Sequence, residues 1–173
     1  MTFPAPAALA VSIGLPAILI WSAVSDIRTR RIPNIAVLCV IALYIAWAVV
    51  HGGQGLAGAL TASIVAFVVC FCMYVFKVWG AGDAKLFTAL ALFAGWRMLM
   101  GFAVTTTLAG GFVVFIRLLF DPRRAFLVWH MREKFDDGRG VPYGVAIALG
   151  ALTIHWGDHF GVLPPALLFQ LPS

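Results

Sequence analysis

Two aspartates hold most of the chemistry this sequence offers. In KVWGAGDAKLF, residues 77 to 87, Asp83 follows Gly80 and Gly82 at the edge of an apolar run. Asp26 ends the first apolar run and is followed by the basic stretch IRTRRIPN. Two carboxylates within hydrogen-bond reach cannot both ionise cheaply, so they share a proton. One can then activate a water while the other protonates or polarises a carbonyl, as an aspartic protease requires. Spacing alone does not bring the two together. Each could instead be a helix-end charge beside a base: Asp26 with Arg30, or Asp83 with Lys85 or Lys77.

The residues around each aspartate fit a site. Gly80 and Gly82 remove side chains just ahead of Asp83, which lets a substrate backbone or a neighbouring helix come close and lets the chain bend before a helix starts. Lys85 could compensate the charge of Asp83. After Asp26, Pro33 and Asn34 mark the restart into a second helix.

The elements that must position these residues are membrane helices. Of 173 residues, 62% are hydrophobic and 11% charged, and the mean hydropathy is +1.00. That composition excludes a soluble globular domain and predicts an all-α, polytopic integral membrane protein. Apolar runs fall at about 4–25, 35–50, 56–76, 86–120 and 141–156. The first ends in Ala23-Val24-Ser25, which resembles a signal-peptide cleavage site, but no Lys or Arg precedes it and its length suits an uncleaved spanning helix. The fourth would make a helix of about 52 Å, too long for one bilayer core of about 30 Å. A tight hairpin at Gly95-Trp96-Arg97 divides it, with a short or tilted helix starting near Asp83, which gives about six transmembrane helices.

Charge counting agrees with six crossings. Of the twelve Lys and Arg residues, all but Arg97 then share one side of the membrane. The positive-inside rule makes that side cytoplasmic and places both termini outside, with Asp26 and Asp83 at the same cytoplasmic boundary. A five-helix plan would send the basic loop around 120–140 to the wrong face. Within that loop, residues 121–139 alternate apolar and basic positions after Asp121-Pro122, which predicts a short helix lying on the cytoplasmic membrane surface. No repeat or soluble module interrupts the chain, so residues 1–173 form a single membrane-embedded domain.

The remaining candidates point elsewhere. Cys39, Cys70 and Cys72 lie inside apolar runs with no C-x-x-C spacing, and Cys70 and Cys72 face different sides of a helix. They read as small packing residues. His155 and His159 flank Asp158 in HWGDH, but Gly157 and the outward position favour a helix end with Trp156 in an interfacial aromatic belt over a metal site. No metal and no organic cofactor is expected.

The pair SDIRTRRIPN (25–34) and GAGDAKL (80–86), in this order, resembles the two signatures of the GxGD-type aspartic prepilin peptidases, in the small peptidase-only branch that serves Tad/Flp-type pili. VPYGVAIALG (141–150) resembles that family's last membrane helix. The resemblance implies that Asp26 and Asp83 are the catalytic pair and that Gly80 and Gly82 are the glycines of the second motif. It implies Flp-type prepilins as substrates, cut between a cytoplasmic leader and the following membrane helix in the bacterial inner membrane, with lipid as the other partner and no nucleic acid. Larger members that also methylate the new N-terminus carry a cysteine-bearing cytoplasmic domain, which this chain lacks. Presenilin-like proteases share G-x-G-D but place Tyr or Phe before the first aspartate, where this chain has Ser25. A proton-coupled transporter would carry ionisable groups nearer midspan or broken inverted-repeat helices. A non-enzymatic membrane subunit of a pilus or secretion assembly would tolerate Asn at both aspartates.

Overall fold

A computed structural model describes residues 6–29, 31–120 and 143–160. The interfacial helix expected over 121–139 lies outside the described residues. Among these there are five α-helices and no strand: α1 (Pro6–Thr29), α2 (Asn34–Val50), α3 (Leu56–Val75), α4 (Ala81–Phe120) and α5 (Tyr143–Phe160). Three are long and apolar enough to cross a membrane, at Ala10–Thr29, Leu56–Val75 and Ala81–Ile116, and Asn34–Val50 and Tyr143–His155 are shorter apolar helices. The chain is a membrane protein whose described residues form helices and the connections between them.

The hairpin expected near Gly95 is present. Gly95 has φ 60° and ψ −180° inside an otherwise helical α4, a backbone region that essentially only glycine occupies. The chain folds back there: the rings of Phe87 and Phe102 stack with centroids 4.4 Å apart, whereas an unbroken helix would hold those residues about 22 Å apart. α4 is thus two antiparallel arms, residues 81–94 and 96–120.

This hairpin is the centre of the fold. α3 packs on α4, α5 on α4, α2 on α4, and α1 on both α2 and α5. The closest approaches use small residues. α3 turns Ala59, Ala62, Ala66 and Cys70 inward, and Ser63 Oγ crosses to donate to the Thr88 carbonyl at 3.1 Å. On the other side, a Cβ at Gly150 of α5 would lie 2.8 Å from the Thr106 backbone, and one at Gly110 would lie 3.5 Å from Ala146. In a membrane, where lipid is as apolar as Leu, such backbone proximity supplies the packing that holds helices together. Larger side chains such as Leu15, Leu19, Leu86, Leu90, Phe102, Ile147 and Ile154 fill the middle, fully buried, while Val49, Met100, Leu108 and Phe112 point outward. An apolar exterior is what a helix surface facing lipid requires. The cysteines follow their helix faces, with Cys70 buried and Cys72 exposed.

The connections are closed by local hydrogen bonds. Ser25 Oγ and Thr29 Oγ1 in the last turn of α1 both donate to the Arg31 carbonyl, at 3.0 and 3.3 Å, which draws the chain back over the helix end. Pro33 then caps α2 in the extended region, and its carbonyl accepts the Ala36 N–H at 3.0 Å. α3 ends in a Schellman motif: the Lys77 N–H donates to the Tyr74 carbonyl and the Val78 N–H to the Met73 carbonyl, each at 2.9 Å. Lys77 occupies the left-handed position, with φ 56°, where glycine is usual. This turn delivers Trp79 and Gly80 to the start of α4.

Candidate active site

Asp83 sits in the first turn of α4, and the reason is local. Gly80 is the cap: its carbonyl accepts the Ala84 N–H at 3.1 Å, and its own N–H hydrogen-bonds the Asp83 carboxylate. A carboxylate at the third helical position reaching back to the cap N–H is one half of a capping box, and it also suits the positive end of the helix dipole. The fit is close, because a Cβ at residue 80 would lie 2.9 Å from Asp83 Oδ2.

Asp26 belongs to the last turns of α1 and is buried. One carboxylate oxygen, Oδ2, accepts the backbone N–H of Gly144 at 2.9 Å in a buried hydrogen bond from the first turn of α5. Three separate helices therefore converge: the end of α1, the start of α4 and the start of α5. Gly82 lets the α1–α2 connection settle onto α4, since a Cβ there would lie 3.2 Å from Ile32 Cβ and 3.6 Å from the Ile32 N.

The result is a cleft of about 270 Å³ lined by both aspartates together with Arg31, Ile32, Asn34, Gly80, Ala81, Gly82 and Lys85. The two carboxylates are near enough for the charge of Asp26 to act on Asp83. Asp26 lies near one end of the apolar span Ala10–Thr29 and Asp83 at one end of Ala81–Ile116, so the cleft opens at a boundary of the apolar region. Two exposed basic residues, Arg31 and Lys85, are part of its lining.

Of the residues named from sequence, Asp26, Asp83, Gly80, Gly82, Lys85 and Asn34 all line this cleft. The Lys85 Nζ donates to Asn34 Oδ1 at 3.4 Å and ties the start of α4 to the start of α2. Pro33 is half-buried as the cap of α2 and stands outside the lining. Tyr143 also stands outside it, with its ring 6.0 Å from that of Trp79, which in turn packs edge-on against Phe87 at 5.5 Å. This aromatic bracket fixes the start of α5 against α4. Sequence reading missed Gly144, Arg31 and Ile32. A glycine directly after Pro142-Tyr143 at a helix start signals a close approach, but nothing in the sequence names its partner.

The arrangement can present a carbonyl and a water to two carboxyl groups with one proton between them. Among the described residues, no group of three His, Cys, Asp or Glu side chains is placed to hold a metal ion. Comparison with known families finds that the model of the type IV leader peptidase family matches residues 13–115, which contain both aspartates and both motif glycines. No curated protein and no solved structure matches the chain.

Proposed function

The chain belongs to the type IV leader peptidase family, and from that premise we propose that it is an aspartic endopeptidase using Asp26 and Asp83 to remove the leader from Flp-type prepilins. Membership carries leader peptidase activity on prepilins in a membrane protein. The finer reading rests on one observation: two aspartates far apart in sequence, on α1 and α4, line one cleft.

In this mechanism one carboxylate is ionised and takes a proton from water as its oxygen attacks the scissile carbonyl carbon. The other carboxyl donates its proton to the carbonyl oxygen, giving a neutral tetrahedral diol. Return of a proton to the amide nitrogen lets the C–N bond break and releases the leader. The pair titrates as a unit. Neither a metal nor an organic cofactor is needed for these steps, and the absence of a cysteine-bearing insertion supports a peptidase without methyltransferase activity.

The membrane geometry supports the same reading. A leader peptidase must cut between a polar leader and an apolar helix, and the cleft stands at one end of two apolar spans, with the basic Arg31 and Lys85 in its lining. With α1, α2, α3, the two arms of α4, and α5 each crossing, the bundle makes six passes of the bacterial inner membrane in one domain. The cleft and the basic residues then face the cytoplasm and both termini face outward.

Leader cleavage tests this directly. The chain in membranes is combined with candidate Flp-type prepilins, and a gel shift reports cleavage for wild type, Asp26→Asn and Asp83→Asn. Loss of cleavage in either variant, with insertion and protein level unchanged, is the expected result. Cleavage that survives both substitutions would overturn the mechanism and favour the transporter or non-enzymatic subunit.

A further inference from the structure

The N-terminal turn of α5 lies outside the family match, yet its backbone reaches the buried aspartate. We propose that Gly144 is a positioning residue for Asp26, its backbone N–H holding the carboxylate in the orientation that catalysis uses; the inference rests on the reading of Asp26 as half of the catalytic pair.

Three observations carry it. First, the Gly144 N–H donates to Asp26 Oδ2 at 2.9 Å, and the bond is buried. Gly144 is the second residue of α5, so its N–H is among those that a helix leaves without an internal partner. It is directed outward from the helix end, onto the carboxylate. Second, the position accepts no side chain. A Cβ at residue 144 would lie 2.8 Å from Asp26 Oδ2, 3.1 Å from Asp26 Cβ and 3.0 Å from Ile32 Cδ1. Any other residue pushes the carboxylate away from α5 or α5 away from the carboxylate. Third, Asp26 needs such a partner. It sits in the last turns of α1, where its own helix presents carbonyl oxygens and the negative end of the dipole, an unfavourable place for a carboxylate. The start of an 18-residue helix supplies the opposite polarity and a directed donor.

The bracket of Tyr143, Trp79 and Phe87 holds the start of α5 in place. It anchors α5 to the same arm of α4 that carries Asp83, so one rigid contact fixes the two carboxylates relative to each other. Asp83 takes its orientation from Gly80 on its own helix, whereas Asp26 takes part of its orientation across the bundle.

Replacing Gly144 with glycolate during cell-free translation of the full chain into nanodiscs tests this. The change exchanges one backbone N–H for an ester oxygen, adds no side chain and removes no donor of an internal α5 hydrogen bond, while the Tyr143 carbonyl becomes a weaker ester acceptor. With a cleaved prepilin as substrate, kcat is expected to fall roughly tenfold to hundredfold, the range for losing a hydrogen bond to a charged group. KM stays within about twofold, and the protein stays folded with a thermal midpoint lowered by the lost buried hydrogen bond. On an Asp26→Asn background the ester has no further effect on the residual rate. The proposal is overturned if the ester leaves kcat within twofold of wild type while Asp26→Asn is inactive, or if KM alone rises. An active Asp26→Asn overturns the catalytic pair itself, a separate outcome. Independently of cleavage, the infrared carboxylate band that Asp26→Asn removes is expected to shift in the ester protein without substrate, and an unmoved band overturns the contact. Gly144→Ala serves as the coarser variant, with Gly150→Ala as the packing control on the same helix.

Discussion

Phe87 and Phe102 stack face to face at 4.4 Å and 14°, and the contact exists because the helix between them reverses direction at Gly95. The reversal sets where the site can be. It turns the first arm of α4 into a short helix whose start, with Gly80 and Asp83, meets the end of α1.

Gly95→Ala is expected to destabilise the bundle by about 1–3 kcal/mol, the usual cost of a non-glycine residue in that backbone region. A Cβ there meets nothing within 4 Å, so the loss comes from backbone strain alone. Thermal unfolding in detergent checks this, and an unchanged midpoint would contradict it.

Lys77→Gly should work the other way. Lys77 sits at φ 56° in the turn that closes α3, and glycine adopts that conformation without the left-handed penalty of about 1–2 kcal/mol. Part of the gain is offset by the greater freedom of glycine in the unfolded chain. The net expectation is a rise of up to about 1 kcal/mol, read from the same melts, with cleavage unaffected.

Gly82 is where the α1–α2 connection lies against α4. Gly82→Ala puts a methyl 3.2 Å from Ile32 Cβ, and a small shift can absorb it. Gly82→Leu cannot be absorbed, so it should separate Asp26 from Asp83 and reduce cleavage by more than tenfold. Comparing the rates of the two variants tests whether closeness of these segments governs activity.

The proposed dyad also has a pH signature. With both carboxyls protonated no base remains, and with both ionised no acid remains. Cleavage should therefore fall on both the acid and the alkaline side of an optimum, with apparent values that belong to the pair. A rate that climbs to a plateau and never declines would indicate a single titrating group.

The sequence by itself determined that this is a helical membrane protein, where the described helices run, and which aspartates stand at helix ends. Those features are local: apolar run length, the position of charges, and a run too long for one bilayer, broken at the glycine that folds it. GAGD was legible as a helix start because Gly80 and Asp83 complete each other within one turn. That Asp26 shares a cleft with Asp83, that Lys85 turns to Asn34, and that α5 brings a backbone N–H to Asp26 were decided only by tertiary structure. A backbone donor has no residue type to read, and what Gly144 touches depends on how α1, α4 and α5 pack. Packing between distant helices is fixed by the shape of the whole bundle, through contacts such as Gly150 on Thr106 and Gly110 on Ala146, which spacing along the chain does not encode.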